Sequence, residues 1–143
     1  IKLGLQEHIE LGNLDAKRDW GFAKEYVEGM YLMMQAKEPD TYILATNKTE
    51  TIRNFVIMAF KAIDIDIRWE NEGIEEVGID TKSNKILVKI NPKFYRPAEV
   101  ELLIGDASKA KKELNWQSQT SLEELCKLMV EDDLEKYKNN ESF

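Results

Sequence analysis

Apolar residues recur every three or four positions in three long stretches of the chain, the spacing of amphipathic helices. These stretches are residues 22–37, the segment from Ile52 to Ile63 and the segment that follows Ser121. Shorter stretches that alternate, or that are continuously apolar, predict strands at 8–11, 42–46, 65–70 and 86–90. The pattern therefore predicts an α/β fold made mainly of helices, with a few short strands.

Local signals set the expected ends of these elements. Thr49 and Thr51 can cap the second helix, and Ser121 with Glu124 forms a capping box for the last one. Asp19 is expected to be the N-cap of the first long helix, starting near Gly21. Residues 1–5 predict the end of a helix, residues 71–84 a loop or a short hairpin arm, and Asp106 a cap for a short helix over 107–114.

Composition narrows the classes of partner. The 143 residues, 43% of them apolar, suit one domain, and 20 Lys and Arg against 27 Asp and Glu give a net charge of −7. That balance argues against a nucleic-acid or anionic-membrane surface. The lone Cys126 is expected to be a buried thiol in a reducing compartment, and the absence of a long apolar run predicts a soluble, cytoplasmic protein.

Two cationic motifs carry candidate chemistry. Pro97 biases Arg96 towards an extended conformation, and Glu99 lies one turn away, so an Arg fork and a carboxylate can face a nucleotide together. Arg18 lies in a turn bracketed by Gly12 and Gly21, just before a predicted helix start that favours an anion. The alternatives are a surface ion pair in the first case and an ordinary exposed arginine in the second.

Catalytic and cofactor motifs are missing from the sequence. No glycine belongs to a G-x-G-x-x-G or P-loop pattern, and no tyrosine is followed four positions later by lysine. His8 is the only histidine, so neither a Ser-His-Asp set nor a metal site is expected. The residues by themselves predict an anion-binding half-site without catalytic machinery.

Residues 11–21, together with 94–101 and 105–106, resemble the GDP-mannose 4,6-dehydratase family of the extended short-chain dehydrogenases/reductases. The similarity extends over most of the chain and includes Glu76, Gly78 and Trp116. It implies that residues 1–143 are the C-terminal, substrate-binding part of such an enzyme. In the family, an N-terminal Rossmann part that this sequence lacks holds NADP and carries the catalytic residues.

The resemblance also implies roles for individual residues. Arg18 and Arg96 correspond to arginines that clamp the diphosphate of the GDP-sugar, and Glu99 to the carboxylate that takes the ribose hydroxyls. Asn13 and Leu14 lie on the segment lining the nucleotide pocket. No catalytic or metal-binding residue is expected in this chain.

The implied reaction is an internal redox dehydration that converts GDP-mannose to GDP-4-keto-6-deoxymannose in a homodimer or homotetramer. Phe22 and Glu25 depart from the family pattern, which has His and Asp there, and residues 71–89 match least. Three alternatives remain open: a related nucleotide-sugar epimerase or reductase, a dehydratase of another GDP-sugar, and a non-catalytic nucleotide-binding module.

Overall fold

The computed structural model describes residues 1–95 and 104–139, which form a four-stranded sheet, a two-stranded ribbon and four helices. The sheet consists of β1 (Ile9–Leu11), β4 (Ile67–Glu70), β5 (Val77–Asp80) and β6 (Ile86–Ile90). The ribbon pairs β2 (Lys17–Arg18) with β3 (Glu50–Thr51). The helices are α1 (Ala23–Met34), α2 (Ile52–Lys61), α3 (Ser108–Leu114) and α4 (Leu122–Lys138).

The sheet has the order β1-β6-β5-β4, and its register places two distant segments side by side. β1 runs parallel to β6, with Ile9 opposite Val88 and Leu11 opposite Ile90. β6, β5 and β4 follow as antiparallel neighbours. Both β1 and β6 therefore end at the same edge of the sheet, and the loops that follow them start as neighbours.

Helix α2 covers this sheet. Val56 and Phe60 pack with Leu87 and Val88 of β6 in one apolar core, and α4 packs on α2. Cys126 of α4 is 1% exposed, which confirms the predicted buried thiol, and burial raises its pKa. This core fixes the start of α2 relative to the carboxyl end of β6.

A second core surrounds Trp116, which packs with Ala45, Ala107 and Ala110. The indole Nε1 donates a 2.7 Å hydrogen bond to the carbonyl oxygen of Glu25 in α1. This core joins α1 to α3.

Most of the predicted elements are present. Helices α1, α2 and α4 and strands β1, β4 and β6 lie where periodicity placed them, and the α/β class is confirmed. Two caps are confirmed: Thr51, not Thr49, caps α2, its Oγ1 accepting from Asn54 N at 3.1 Å, and Ser121 caps α4, its Oγ accepting from Glu124 N at 3.2 Å. β5 is the hairpin arm anticipated within 71–84, and Asp106 accepts from Ser108 N although Ala107 is the N-cap of α3.

Two predictions about helix ends are wrong. Phe22, not Asp19, is the N-cap of α1, which begins at Ala23, and the carboxylate of Asp19 is instead held by Thr46. Residues 1–5 form a turn and not a helix end: Gly4 has a φ of +75°, and its N–H donates to the carbonyl oxygen of Ile1. In both places a local signal was outweighed by other hydrogen bonds.

The predicted strand at 42–46 is also wrong for this chain. These residues lie outside any strand, and within 1–95 and 104–139 no backbone ladder pairs with them. The side chains of Leu44 and Ala45 pack at the Trp116 core, whereas Ile43 is 52% exposed. A strand needs a neighbour for its N–H and C=O groups, and the described part of the chain supplies none here.

None of the described helices is both long and apolar enough to span a membrane.

Candidate functional site

The ends of β1 and β6 place residues 10–12 beside residues 91–94, which precede Arg96 in the sequence. Asn91 N donates to Leu11 O at 2.8 Å, and Asn91 Nδ2 donates to Glu10 Oε2 at 2.7 Å. Just beyond, Gly12 packs so closely on Phe94 that a Cβ at position 12 would overlap the Phe94 carbonyl group. The segments leading to Asn13 and to Arg96 therefore leave the sheet in contact with each other.

Asn13 and Leu14 lie in the loop that follows this contact. The amide oxygen of Asn13 accepts from Asp15 N at 2.9 Å, an Asx turn that fixes the loop locally. Leu14 is 2% exposed, and its carbonyl oxygen accepts from Arg53 N at 2.8 Å. Its side chain therefore belongs to the core, which leaves its main chain as the part able to contact a ligand.

Three successive residues, Arg18, Asp19 and Trp20, are each fixed by a different contact. Arg18 lies opposite Glu50 in the β2–β3 ribbon. Asp19 accepts from the N–H and the hydroxyl of Thr46, at 3.0 and 2.7 Å. The indole of Trp20 stacks on Phe55 of α2, with ring centroids 5.0 Å apart.

Arg18 lines a cleft of about 420 Å³, within the usual size range of ligand sites. Its walls are formed by 18–20, 46–50 and the segment before α4; the polar lining side chains are Arg18, Thr46, Lys48, Thr49, Glu50, Ser118, Gln119, Thr120 and Ser121. Hydrogen bonds from Thr51 N and Asn54 hold the pKa of Glu50 below its ordinary value, so two cations and one carboxylate face the cleft. We call it the Arg18 cleft.

Glu25, one of the two departures from the family pattern, anchors one wall of the Arg18 cleft. Its carboxylate accepts four hydrogen bonds: from Ser118 Oγ at 2.8 Å, Gln119 N at 3.2 Å, Thr120 N at 2.9 Å and Thr120 Oγ1 at 2.7 Å. Burial by itself would raise the pKa of Glu25, but the hydrogen bonds outweigh it and hold the pKa below its ordinary value. The departure from the family residue thus has a well-satisfied structural role.

Replacing Glu25 with Gln should destabilise the fold by about 2 kcal/mol at pH 7, because an amide cannot accept all of these hydrogen bonds with the strength of a carboxylate. A lowered folded-state pKa adds stability above the ordinary pKa of glutamate, and this stability is lost as the pH falls. The difference in unfolding free energy between wild type and variant should therefore shrink below about pH 4.3.

Urea unfolding measured from pH 7 to pH 3 tests this expectation. Glu28→Gln is the matched control, because Glu28 is exposed on the same helix; it should leave the unfolding free energy within about 0.5 kcal/mol of wild type. A constant difference between Glu25→Gln and wild type over the whole pH range would contradict the role assigned to this carboxylate.

Arg96, Pro97 and Glu99 lie outside the described residues, so the predicted cation–carboxylate pair has no observed geometry. Described residues before and after them in the chain make contacts of their own. Phe94 contacts Gly12, and Ala107 N donates to Asn47 Oδ1 at 3.0 Å. Phe94 therefore lies beside the start of the Asn13 loop, and Ala107 lies beside the segment leading to Lys48.

A metal centre and a dinucleotide loop each place requirements on residues 1–95 and 104–139. No group of three His, Cys, Asp or Glu side chains is arranged around a common point there. The space beside Gly12, Gly21, Gly78 and Gly105 is filled by the protein's own atoms, so these glycines cannot admit a pyrophosphate. None of these four glycines can therefore form the phosphate-binding loop of a nicotinamide dinucleotide.

A larger groove of about 600 Å³ lies elsewhere, between the N-terminal turn, α2 and the end of α4. Its lining is mostly aliphatic and contains none of the predicted site residues. Lys2, one of its charged groups, already donates to Ile63 O at 2.9 Å. The smaller and more polar Arg18 cleft is therefore the better candidate for an anionic ligand.

A family model described as GDP-mannose 4,6 dehydratase matches residues 1–129 of the chain. The chain belongs to the GDP-mannose 4,6-dehydratase family. It is 48% identical over 143 residues to GDP-mannose 4,6 dehydratase from Dictyostelium discoideum, covering 100% of this chain and 40% of that protein. It is 50% identical over 134 residues to GDP-mannose 4,6-dehydratase from Sinorhizobium fredii, a match that covers 94% of this chain and 38% of that protein. The chain thus spans about two-fifths of the length of these curated relatives.

The fold of this chain is also found in solved structures. dTDP-glucose 4,6-dehydratase from Bacillus anthracis, solved in complex with NAD, superposes with a TM-score of 0.69 at 13% identity. The match covers 92% of this chain and 36% of that one. At this identity the likeness concerns the fold alone.

Sequence reasoning missed several residues that the structure places at or near the site. Lys48, Ser118 and Thr120 line the Arg18 cleft, but each lies in a polar segment without any motif. For Arg53, which contacts the Asn13 loop, the position in the sequence offered one indication of a structural role. A cation in the first turn of a helix opposes the helix dipole, which indicates that carboxylates elsewhere hold it.

Proposed function

We propose that this chain is the substrate-binding part of an NADP-dependent GDP-mannose 4,6-dehydratase, and that it holds the GDP end of GDP-mannose. The packing of Gly12 against Phe94 is the observation that supports this most directly. It places the start of the loop bearing Asn13 against Phe94, which lies 82 positions further along the chain and two positions before Arg96. Membership of the family supplies the identity of the ligand.

In this proposal Arg18 and Arg96 bind the diphosphate, and Glu99 accepts hydrogen bonds from the ribose hydroxyls. Paired arginine forks suit a diphosphate, because each guanidinium can give two parallel charge-assisted hydrogen bonds. Asn13 and the main chain of Leu14 line the same pocket. Gripping the remote nucleotide orients the hexose, so binding energy far from the reacting carbons is used for positioning.

The redox and dehydration chemistry belongs to residues outside this sequence. The chain has no Tyr-x-x-x-Lys pair and no glycine-rich dinucleotide loop, and we place NADP on the portion that the longer relatives contain in addition. The product of the whole enzyme would be GDP-4-keto-6-deoxymannose. A soluble, cytoplasmic homodimer or homotetramer is the assembly we expect.

Product analysis tests the reaction class. The full gene product should be incubated with NADP and, separately, with GDP-mannose, another GDP-hexose, a GDP-heptose and UDP-glucose. We expect turnover of GDP-mannose to a 4-keto sugar that has lost the 6-hydroxyl, detected as a mass loss of one water. A product that keeps its 6-hydroxyl would exclude dehydration and favour an epimerase or reductase, and turnover restricted to the heptose would reassign the substrate.

A further inference from the structure

Arg53, in the first turn of α2, contacts three different parts of the fold. Its Nη2 donates to Glu76 Oε2 at 3.1 Å, and its Nη1 makes a close ion pair with the other oxygen of that carboxylate. Its Nε and Nη2 donate to the two oxygens of Asp15, at 3.0 and 3.1 Å. Its guanidinium also lies over the ring of Trp69, 4.9 Å from the centroid.

The two ion pairs differ in their surroundings. The side chain of Glu76 is 13% exposed and that of Arg53 23%, whereas that of Asp15 is 69% exposed. Glu76 precedes β5 in the sheet, so the inner pair sets the guanidinium in a fixed orientation against the sheet. Asp15, on the loop, then binds an arginine that is already ordered, and the usual entropic cost of a surface ion pair is reduced.

The main chain of the same loop is held at the same place. Arg53 N donates to Leu14 O at 2.8 Å, and Ile52 N donates to Ala16 O at 3.1 Å. These N–H groups belong to the first turn of α2, where a helix has no internal acceptor for them. The loop between β1 and β2 is therefore tied to α2 by two backbone hydrogen bonds and one bidentate ion pair.

We infer that Arg53 is a positioning residue for nucleotide binding, which it serves by holding the Asn13–Ala16 loop in the geometry that presents Asn13 and the main chain of Leu14. This inference rests on the proposed function. Arg53 does not itself bind the nucleotide, because Glu76, Asp15 and Trp69 already surround its guanidinium. Its substitution should therefore affect the ligand through the loop.

Calorimetric titration of the full gene product with GDP, together with kinetics on GDP-mannose, tests the inference. Arg53→Lys keeps the charge but loses the bidentate fork, and should weaken GDP binding 5- to 20-fold and raise KM similarly, with kcat within twofold. Arg68→Lys is the matched control: Arg68 also pairs with a carboxylate, Glu70, but lies on β4 away from the loop. The control should leave GDP affinity unchanged.

A double-mutant cycle separates positioning from general destabilisation. If Arg53 acts through Asn13, the loss in GDP affinity for Arg53→Lys combined with Asn13→Ala should be smaller than the product of the single effects. Independent effects that multiply would overturn the inference.

If Arg53→Lys does not fold, Asp15→Ala tests the same inference. This variant removes the ion pair between Arg53 and the loop and keeps the pair between Arg53 and Glu76. It should weaken GDP binding at least threefold. Loss of a negative charge would by itself favour an anionic nucleotide, so a weakening cannot be a simple charge effect. Unchanged GDP affinity in Asp15→Ala overturns the inference.

An Arg18→Ala variant measured alongside distinguishes this inference from the proposed function. Weak GDP binding in Arg18→Ala with normal binding in Arg53→Lys would reject the positioning role alone. Normal GDP binding in both would reject the nucleotide site itself.

Discussion

Replacing Arg18 with Ala in the full gene product should raise the KM for GDP-mannose about 10- to 100-fold, and replacing Arg96 should do the same. A charge-assisted hydrogen bond contributes about 1.5–3 kcal/mol where water is excluded, and each tenfold change in affinity corresponds to about 1.4 kcal/mol. Because the diphosphate does not react, both variants should lose ground-state and transition-state binding equally, so that kcat changes much less than KM.

Steady-state kinetics with GDP-mannose and inhibition by GDP measure this directly. The inhibition constant for GDP should rise by the same factor as KM, because both ligands share the diphosphate. Lys17→Ala is the control for Arg18, since Lys17 is the neighbouring cation on β2 and is exposed. Lys93→Ala is the control for Arg96, because Lys93 is an exposed cation three positions before Arg96 in the sequence. An unchanged KM in Arg18→Ala or Arg96→Ala would remove that arginine from the proposed clamp.

Periodicity and local capping signals account for the elements that were predicted correctly. The stripes of α1, α2 and α4 repeat at helical spacing, and Thr51 and Ser121 satisfy N–H groups in the first turns that follow them. β6 is a nearly continuous run of aliphatic residues, as expected for a strand with neighbours on both sides. These signals depend on residues close in sequence, which is why they could be recognised.

The errors arise where a distant partner decides the outcome. Asp19 has the right chemistry for an N-cap, but Thr46 offers it two donors, and α1 begins without a side-chain cap. Residues 42–46 have the composition of a buried strand, yet pairing requires a neighbouring strand that the described residues do not contain. Neither partner can be inferred from local sequence.

The charged residues proposed for the site remain predictions from sequence, whereas the contacts that support the described part of the site could not be predicted. Arg18, Arg96 and Glu99 stand in recognisable contexts, a bracketed turn and an Arg-Pro-x-Glu motif. By contrast, the hydrogen bonds of Glu25 connect residues 93–95 positions apart in the sequence. The ion pairs of Arg53 connect it to Asp15, 38 positions away, and to Glu76, 23 positions away. Supports of this kind depend on the tertiary fold, so a single sequence gives at most an indirect signal for them.

Replacing Gly12 with Ala should disrupt the junction between the two halves of the proposed clamp. The added Cβ would lie 2.8 Å from the carbonyl carbon of Phe94 and closer still to its oxygen, a backbone group within the 3₁₀ turn Pro92–Phe94. A backbone carbonyl cannot rotate away as a side chain can, so the ends of β1 and β6 must separate. We expect a loss of about 3 kcal/mol in unfolding free energy and at least tenfold weaker GDP binding.

Gly4→Ala separates this effect from the general cost of losing a glycine. Gly4 has a φ of +75° with open space around its Cα, so alanine there should cost about 1 kcal/mol through backbone strain alone and leave GDP affinity unchanged. Denaturant unfolding and GDP calorimetry on both variants distinguish three outcomes. Loss of stability and affinity together in Gly12→Ala supports the junction as part of the site. Loss of stability with normal GDP affinity would make the Gly12–Phe94 contact a folding feature only, and the loop bearing Asn13 would then have no demonstrated link to Arg96.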